Sequence, residues 1–243
     1  METPASMDVA VATDAYIVET RFGNWFLRTT MWKQNVLRPA LADLKGLLPA
    51  QQCCDHVLDV GCGFGHSFTE LVTALGSKTI TGLDADPHLE SRASGEARAC
   101  PVPVALEIGS AAQLRWPDCS FDIVFCHQTF HHLVAQERAI AEFYRVLRPG
   151  GALLFAESTR KYIYSLPIRT LFRHPMHVQR TAAEYVAMIR QAGFGLPDER
   201  VSLPYLWWSR PDVGLLEWIG LPVPAVREET LINAVALKPR HTS

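Results

Sequence analysis

The segment Val57-Leu58-Asp59-Val60-Gly61-Cys62-Gly63-Phe64-Gly65 constrains this chain more than any other. A short, β-branched apolar run ends at an acid, as a buried parallel strand would, and glycines follow at alternate positions. Glycine permits the sharp turn and, lacking Cβ, lets a ligand lie against the backbone. Phe68, Leu71, Val72 and Leu75 then repeat at helical spacing. Strand, glycine turn and helix N-terminus together make a nucleotide site at the carboxyl edge of a parallel sheet.

The spacing decides which nucleotide. A dinucleotide loop has the pattern G-x-G-x-x-G/A, whose last small residue lets helix and strand pack closely. Here the pattern is G-x-G-x-G with His66 next, and Asp59 stands just ahead of the turn. A carboxylate there repels a pyrophosphate but attracts a ligand with an ammonium and a sulfonium. Asp84 closes a second apolar stretch, Thr79 to Leu83, where it can accept hydrogen bonds from both ribose hydroxyls. These features favour S-adenosylmethionine over NAD. A nicotinamide-dependent oxidoreductase is the rival reading of the loop.

With these residues in view, the chain resembles the class I S-adenosylmethionine-dependent methyltransferases, especially the small-molecule branch that includes the ubiquinone/menaquinone-biosynthesis type. Ser120 to Cys126 looks like that family's fourth strand, and His131-His132-Leu133 like the segment after it. Arg145-Val146-Leu147-Arg148-Pro149-Gly150-Gly151 looks like the turn into the fifth strand. The resemblance implies an α/β fold: a Rossmann-like, seven-stranded, mostly parallel sheet with helices on both faces. It implies S-adenosylmethionine as cofactor, S-adenosylhomocysteine as product and a small-molecule acceptor. The implied cofactor-binding residues are Asp59, Gly61, Cys62, Gly63, Gly65, Asp84, Ala85, Ser110, Ala111, Ala112 and His127. Ser110 stands where the family usually has an acid, which leaves adenine to the Ala111 and Ala112 backbone N–H groups. Asp59 is expected to organise the loop amides and the methionine ammonium, and the His127 backbone to face the methionine moiety.

Bulk properties agree. A chain of 243 residues can form one α/β domain with a full core and a modest cap. A net charge of −2 argues against a nucleic-acid substrate, which calls for a clustered basic face. Six cysteines without paired ligand spacing suggest neither a disulfide framework nor a zinc site. No apolar run reaches membrane-spanning length and the first residues lack signal-peptide character, so the expected location is cytoplasmic.

The expected organisation is an N-terminal helical lead over residues 1–52, then the methyltransferase domain over 53–243. Cap insertions are expected near 158–181 and 207–229. Leu37, Leu41, Leu44 and Leu48 predict a helix with Pro39 in its first turn. Thr181 and Glu184 predict a capping box, and Val201–Leu206 with Leu231–Leu237 a final strand pair. Trp25, Phe26, Trp32, Trp207, Trp208 and Trp218 suggest an apolar or planar acceptor. Arg169, Arg173 and Arg180 could hold an anionic group on it. Candidate catalytic residues are His131 and His132, either able to act as a base with a pKa near neutrality. Asp86 is expected at the surface or capping the next helix. The enzyme is expected to use no metal. The alternatives are a non-catalytic cofactor-binding protein and a lipid methyltransferase working at a membrane surface, the latter suggested by Leu206-Trp207-Trp208 and Leu215 to Ile219.

Overall fold

A computed structural model describes residues 19–210, 215–222 and 229–240. Seven strands form one sheet: β1 (His56–Val60), β2 (Thr79–Asp84), β3 (Val104–Ile108), β4 (Phe121–His127), β5 (Leu147–Ser158), β6 (Val201–Ser202) and β7 (Leu231–Leu237). Their order is β3-β2-β1-β4-β5-β7-β6. The first five pair in parallel, and β7 runs antiparallel to both β5 and β6. This is the expected seven-stranded, mostly parallel α/β architecture. The final pair is shorter than expected on one side, because β6 ends at Ser202, two residues before Pro204, whose ring removes a ladder donor.

Alternation along each strand feeds two cores. Leu58, Val124, Cys126, Leu153 and Phe155 face one side, against Ile140 and Phe143 of helix Gln136–Val146 and Tyr185 of helix Ala182–Gln191. Val57, Ile123, Phe125 and Leu154 face the other, against Phe68, Leu71, Leu89 and the N-terminal helix residues Leu37, Leu41 and Leu44. That helix runs Arg38–Leu47 with Pro39 in its first turn and continues a π-turn at Lys33–Leu37. It therefore packs into the core of the sheet. The Thr181–Glu184 capping box is present.

The strand order reverses between β1 and β4, so the carboxyl ends of these two strands splay and leave a crevice. Leu27 at the end of helix Arg21–Leu27 lines the crevice, and the segment between β5 and helix Ala182–Gln191, which holds short helices Arg160–Ile163 and Leu166–Leu171, packs against helix Arg21–Leu27. The two meet through Phe172, whose ring lies 5.8 Å from Phe22 and 6.0 Å from Phe26. The second expected insertion, 207–229, falls partly outside the described residues.

Candidate active site

The crevice is one cavity with two ends. At the first, Asp59, Gly61, Cys62, Gly63, Asp84, Ala85, Ser110 and Ala111 line the wall. At the other are His127, Gln128, Thr129, His132, Leu133 and Val134; Leu27 and Trp32 also line the cavity, the Trp32 ring lying 5.4 Å from His127 and 6.2 Å from His66 beside the loop.

The glycines divide by task. A Cβ on Gly61 would lie 2.1 Å from Thr129 Oγ1, and one on Gly65 2.6 Å from the Phe68 ring, so both are required by the protein's own packing. A Cβ on Gly63 would meet nothing closer than 4.0 Å, so the open space beside the cavity is above Gly63. All three have positive φ, 74°, 54° and 77°. Gly61 and Gly63 line the cavity.

The acids also differ from expectation. Asp84, not Asp59, organises the loop: its Oδ2 accepts from Gly63 N at 2.9 Å and its Oδ1 from Asp86 N at 2.9 Å. Each oxygen keeps a second lone pair for a ribose hydroxyl. Asp59 is 2% exposed and accepts a short hydrogen bond from Ser67 Oγ. Burial raises its pKa to about 7, against the weaker opposing effect of Ser67. Burial also raises Asp84. Two desolvated carboxyls beside a cavity are poised to gain from a ligand's positive charge. Ala112 N is taken by Ser110 Oγ at 3.1 Å, which leaves Ala111 as the residue of that pair on the cavity wall. Asp86 is buried rather than superficial; it pairs with Arg92 and accepts from His88 N at the start of helix Leu89–Ala99.

At the far end Glu157, wholly buried at the tip of β5, holds the loop after β4. Its Oε1 accepts from Thr129 N at 2.8 Å and Phe130 N at 2.7 Å, and its Oε2 lies 2.6 Å from His131 Nδ1. This carboxylate was missed from sequence, although it ends an apolar strand just as Asp59 and Asp84 do. Gln128 was missed too: it takes a positive φ of 52° and accepts from Ser158 Oγ at 2.6 Å. Such a conformation in a non-glycine residue marks a position fixed by its surroundings.

The histidines separate. His131 is 3% exposed and faces Glu157, while His132 lines the cavity. Burial and the neighbouring His131 and His174 imidazoles hold His132 well below the ordinary histidine value. His132 is thereby held away from the near-neutral range expected from sequence. His127, between Trp32 and Phe125, is lowered to about 3 by burial and then by His131. Of the expected arginines, Arg169 and Arg173 are exposed, and Arg180 is bound to Gln136 and Glu137. None lines the cavity.

Comparison with known proteins places this geometry. A family model described as "Methyltransferase domain" matches residues 58–155, the span from β1 to β5. The uncharacterized methyltransferase YcgJ of Bacillus subtilis is 32% identical over 204 residues, 79% of this chain and 76% of that protein. The chain belongs to the class I S-adenosylmethionine-dependent methyltransferase family. S-adenosylmethionine is that family's cofactor, and the residues present fit it: an open wall at Gly63, two desolvated acids and Ala111 on one surface. The 27-O-demethylrifamycin SV methyltransferase of Amycolatopsis mediterranei is 34% identical over 116 residues, 47% of this chain and 42% of that one. The chain spans about half the length of the curated relatives it matches most strongly. The fold is also that of a putative methyltransferase of Haloferax volcanii solved with the activator Trm112. That match has a TM-score of 0.66 and 21% identity, and covers 91% of this chain and 97% of that one.

Proposed function

We propose that this protein transfers a methyl group from S-adenosylmethionine to an aromatic or apolar small molecule, at an oxygen, nitrogen or carbon. One observation carries the reading: a single cavity is lined both by the acid-and-glycine wall and by the apolar residues Trp32, Leu27, Leu133 and Val134, with His132 among them. The cofactor, when bound, supplies an activated methyl on a sulfonium. The chain's part is to bind, orient and keep water away. Asp59 and Asp84 hold the cofactor's charged and hydroxyl groups. Trp32, Leu27 and the Arg21–Leu27 helix shield the acceptor from solvent. His132, on the cavity wall, faces the acceptor and sets its angle to the methyl. The family relatives support a small-molecule acceptor, and no helix among the described residues is long and apolar enough to cross a membrane. We place the working protein in the cytoplasm. A methyl-transfer screen with labelled cofactor across phenols, alcohols, amines, thiols and carboxylates tests the reading. Label should appear in an apolar aromatic acceptor, and His132→Ala should lower turnover by about 10²-fold with S-adenosylhomocysteine affinity unchanged. Cofactor binding without transfer to any class would overturn it.

A further inference from the structure

His131, His132 and His174 come from two distant segments, yet their rings form a closed triangle. The centroids lie 4.3 Å apart for His131 and His132, 5.1 Å for His131 and His174, and 4.8 Å for His132 and His174. One nitrogen from each lies within 4.8 Å of the other two. Packing alone accounts poorly for this choice of residues. Three imidazoles in a desolvated place carry polar nitrogens that each need a partner, and His174 Nδ1 is buried with none among the described residues.

One further feature matches a metal centre. Glu157 Oε2 lies 2.6 Å from His131 Nδ1, which fixes the ring and leaves Nε2 as the nitrogen free to ligate. A ligating histidine usually hands its other nitrogen to a carboxylate in this way, and the buried carboxylate adds negative charge behind it. Glu157 is the charged group in direct contact with the cluster, and the Gln179 amide closes the far side by donating to His131 O at 2.8 Å.

We propose that His131, His132 and His174 bind one zinc-class divalent cation at the acceptor end of the cavity. Three imidazoles suit zinc, cobalt, nickel or copper and not magnesium or calcium, which prefer oxygen. At bond lengths of about 2.0–2.1 Å a tetrahedral ion needs nitrogens about 3.4 Å apart, so the three rings draw together on binding. Three protein ligands leave one position open, as in catalytic rather than structural sites. Because His132 lines the cavity, that position adjoins the acceptor. The inference rests on the methyl-transfer reading for its purpose: a cation there would hold an acceptor hydroxyl and acidify it, the proton passing to solvent water, so that the oxygen takes the methyl and the sulfonium leaves as S-adenosylhomocysteine. It replaces the expectation of a metal-free enzyme.

The test uses untagged, chelator-stripped protein titrated with Zn²⁺ by calorimetry and with Co²⁺ by visible absorption. The expected result is one ion per chain with the ligand-field bands of a four-coordinate site. His174→Phe keeps a ring in place and should lose this binding, while Glu157→Gln should weaken it about 10–100-fold. S-adenosylhomocysteine is titrated into the same samples. Its failure to bind wild-type protein would sink the methyl-transfer reading whatever the ion does. Normal S-adenosylhomocysteine binding with no stoichiometric ion, or with equal ion affinity in His174→Phe, would overturn the metal site alone.

Discussion

The two ends of the cavity are built differently. The cofactor end comes from short, continuous segments at the tips of β1, β2 and β3, and its groups are mostly backbone and carboxylate. The acceptor end is assembled from residues 127–134, from Glu157 and from His174, brought together by a loop after β4, the tip of β5 and the segment beyond it. Local chain geometry can specify the first. Only tertiary packing can specify the second. The ends touch at Gly61, whose missing side chain is the space Thr129 occupies.

That contact offers the largest test of the division. Gly61→Val puts a branched Cβ into Thr129 at a positive φ, so it should displace both ends together. S-adenosylhomocysteine binding should fall below detection while the far-ultraviolet circular dichroism keeps its sheet signal. Normal binding would mean the two ends are not coupled there. Glu157→Leu comes next. It leaves the Thr129 and Phe130 N–H groups buried without their acceptor, at about 1–3 kcal/mol each. A fall of several degrees in melting temperature is expected, with a negligible change putting the acceptor loop's anchor elsewhere.

Asp84→Ala confines the damage to the cofactor end. It should weaken S-adenosylhomocysteine by about 1.5–3 kcal/mol, through lost hydrogen bonds to a charged group. Binding of Zn²⁺ should be unaffected, and a parallel loss would erase the distinction between ends. The smallest effect is a pH dependence. Asp59 is raised from 3.8 to about 7 by burial, so the folded, unliganded protein keeps a proton that the unfolded chain has lost between these values. Stability from this group is therefore present at low pH and declines as pH rises through that window. A cationic ligand favours the ionised form and expels the proton. Affinity should thus fall as pH drops below about 7, by at most about tenfold per unit, and Asp59→Asn should remove this part of the slope. Calorimetry at several pH values measures it, and a slope unchanged in Asp59→Asn would assign it to another group.

The same division governs what could be read from the sequence. The strand ending at Val60, the alternate glycines and the acids at 59 and 84 were legible because backbone conformation and strand ends leave local patterns. The seven-stranded fold followed from them and from the family resemblance. Finer roles were not legible. Asp59 and Asp84 exchanged the task of ordering the loop, because which carboxylate meets Gly63 N depends on how β2 lies beside β1. Glu157 escaped notice although it stands at a strand tip like the other two acids. Nothing in the sequence joined His174 to His132, forty-two positions earlier, since no periodicity links them. The arginines read as anion holders turned outward or were taken by neighbours, which composition could not reveal.

The central claim is that the glycine loop and its acids bind S-adenosylmethionine and its product, not a nicotinamide nucleotide. Titration calorimetry of wild-type and Asp84→Ala protein with S-adenosylhomocysteine, and of wild type with NADH, tests it most directly. The expected result is one S-adenosylhomocysteine site per chain, weakened in Asp84→Ala, with no heat from NADH. Saturable binding of NADH with none of S-adenosylhomocysteine would contradict it.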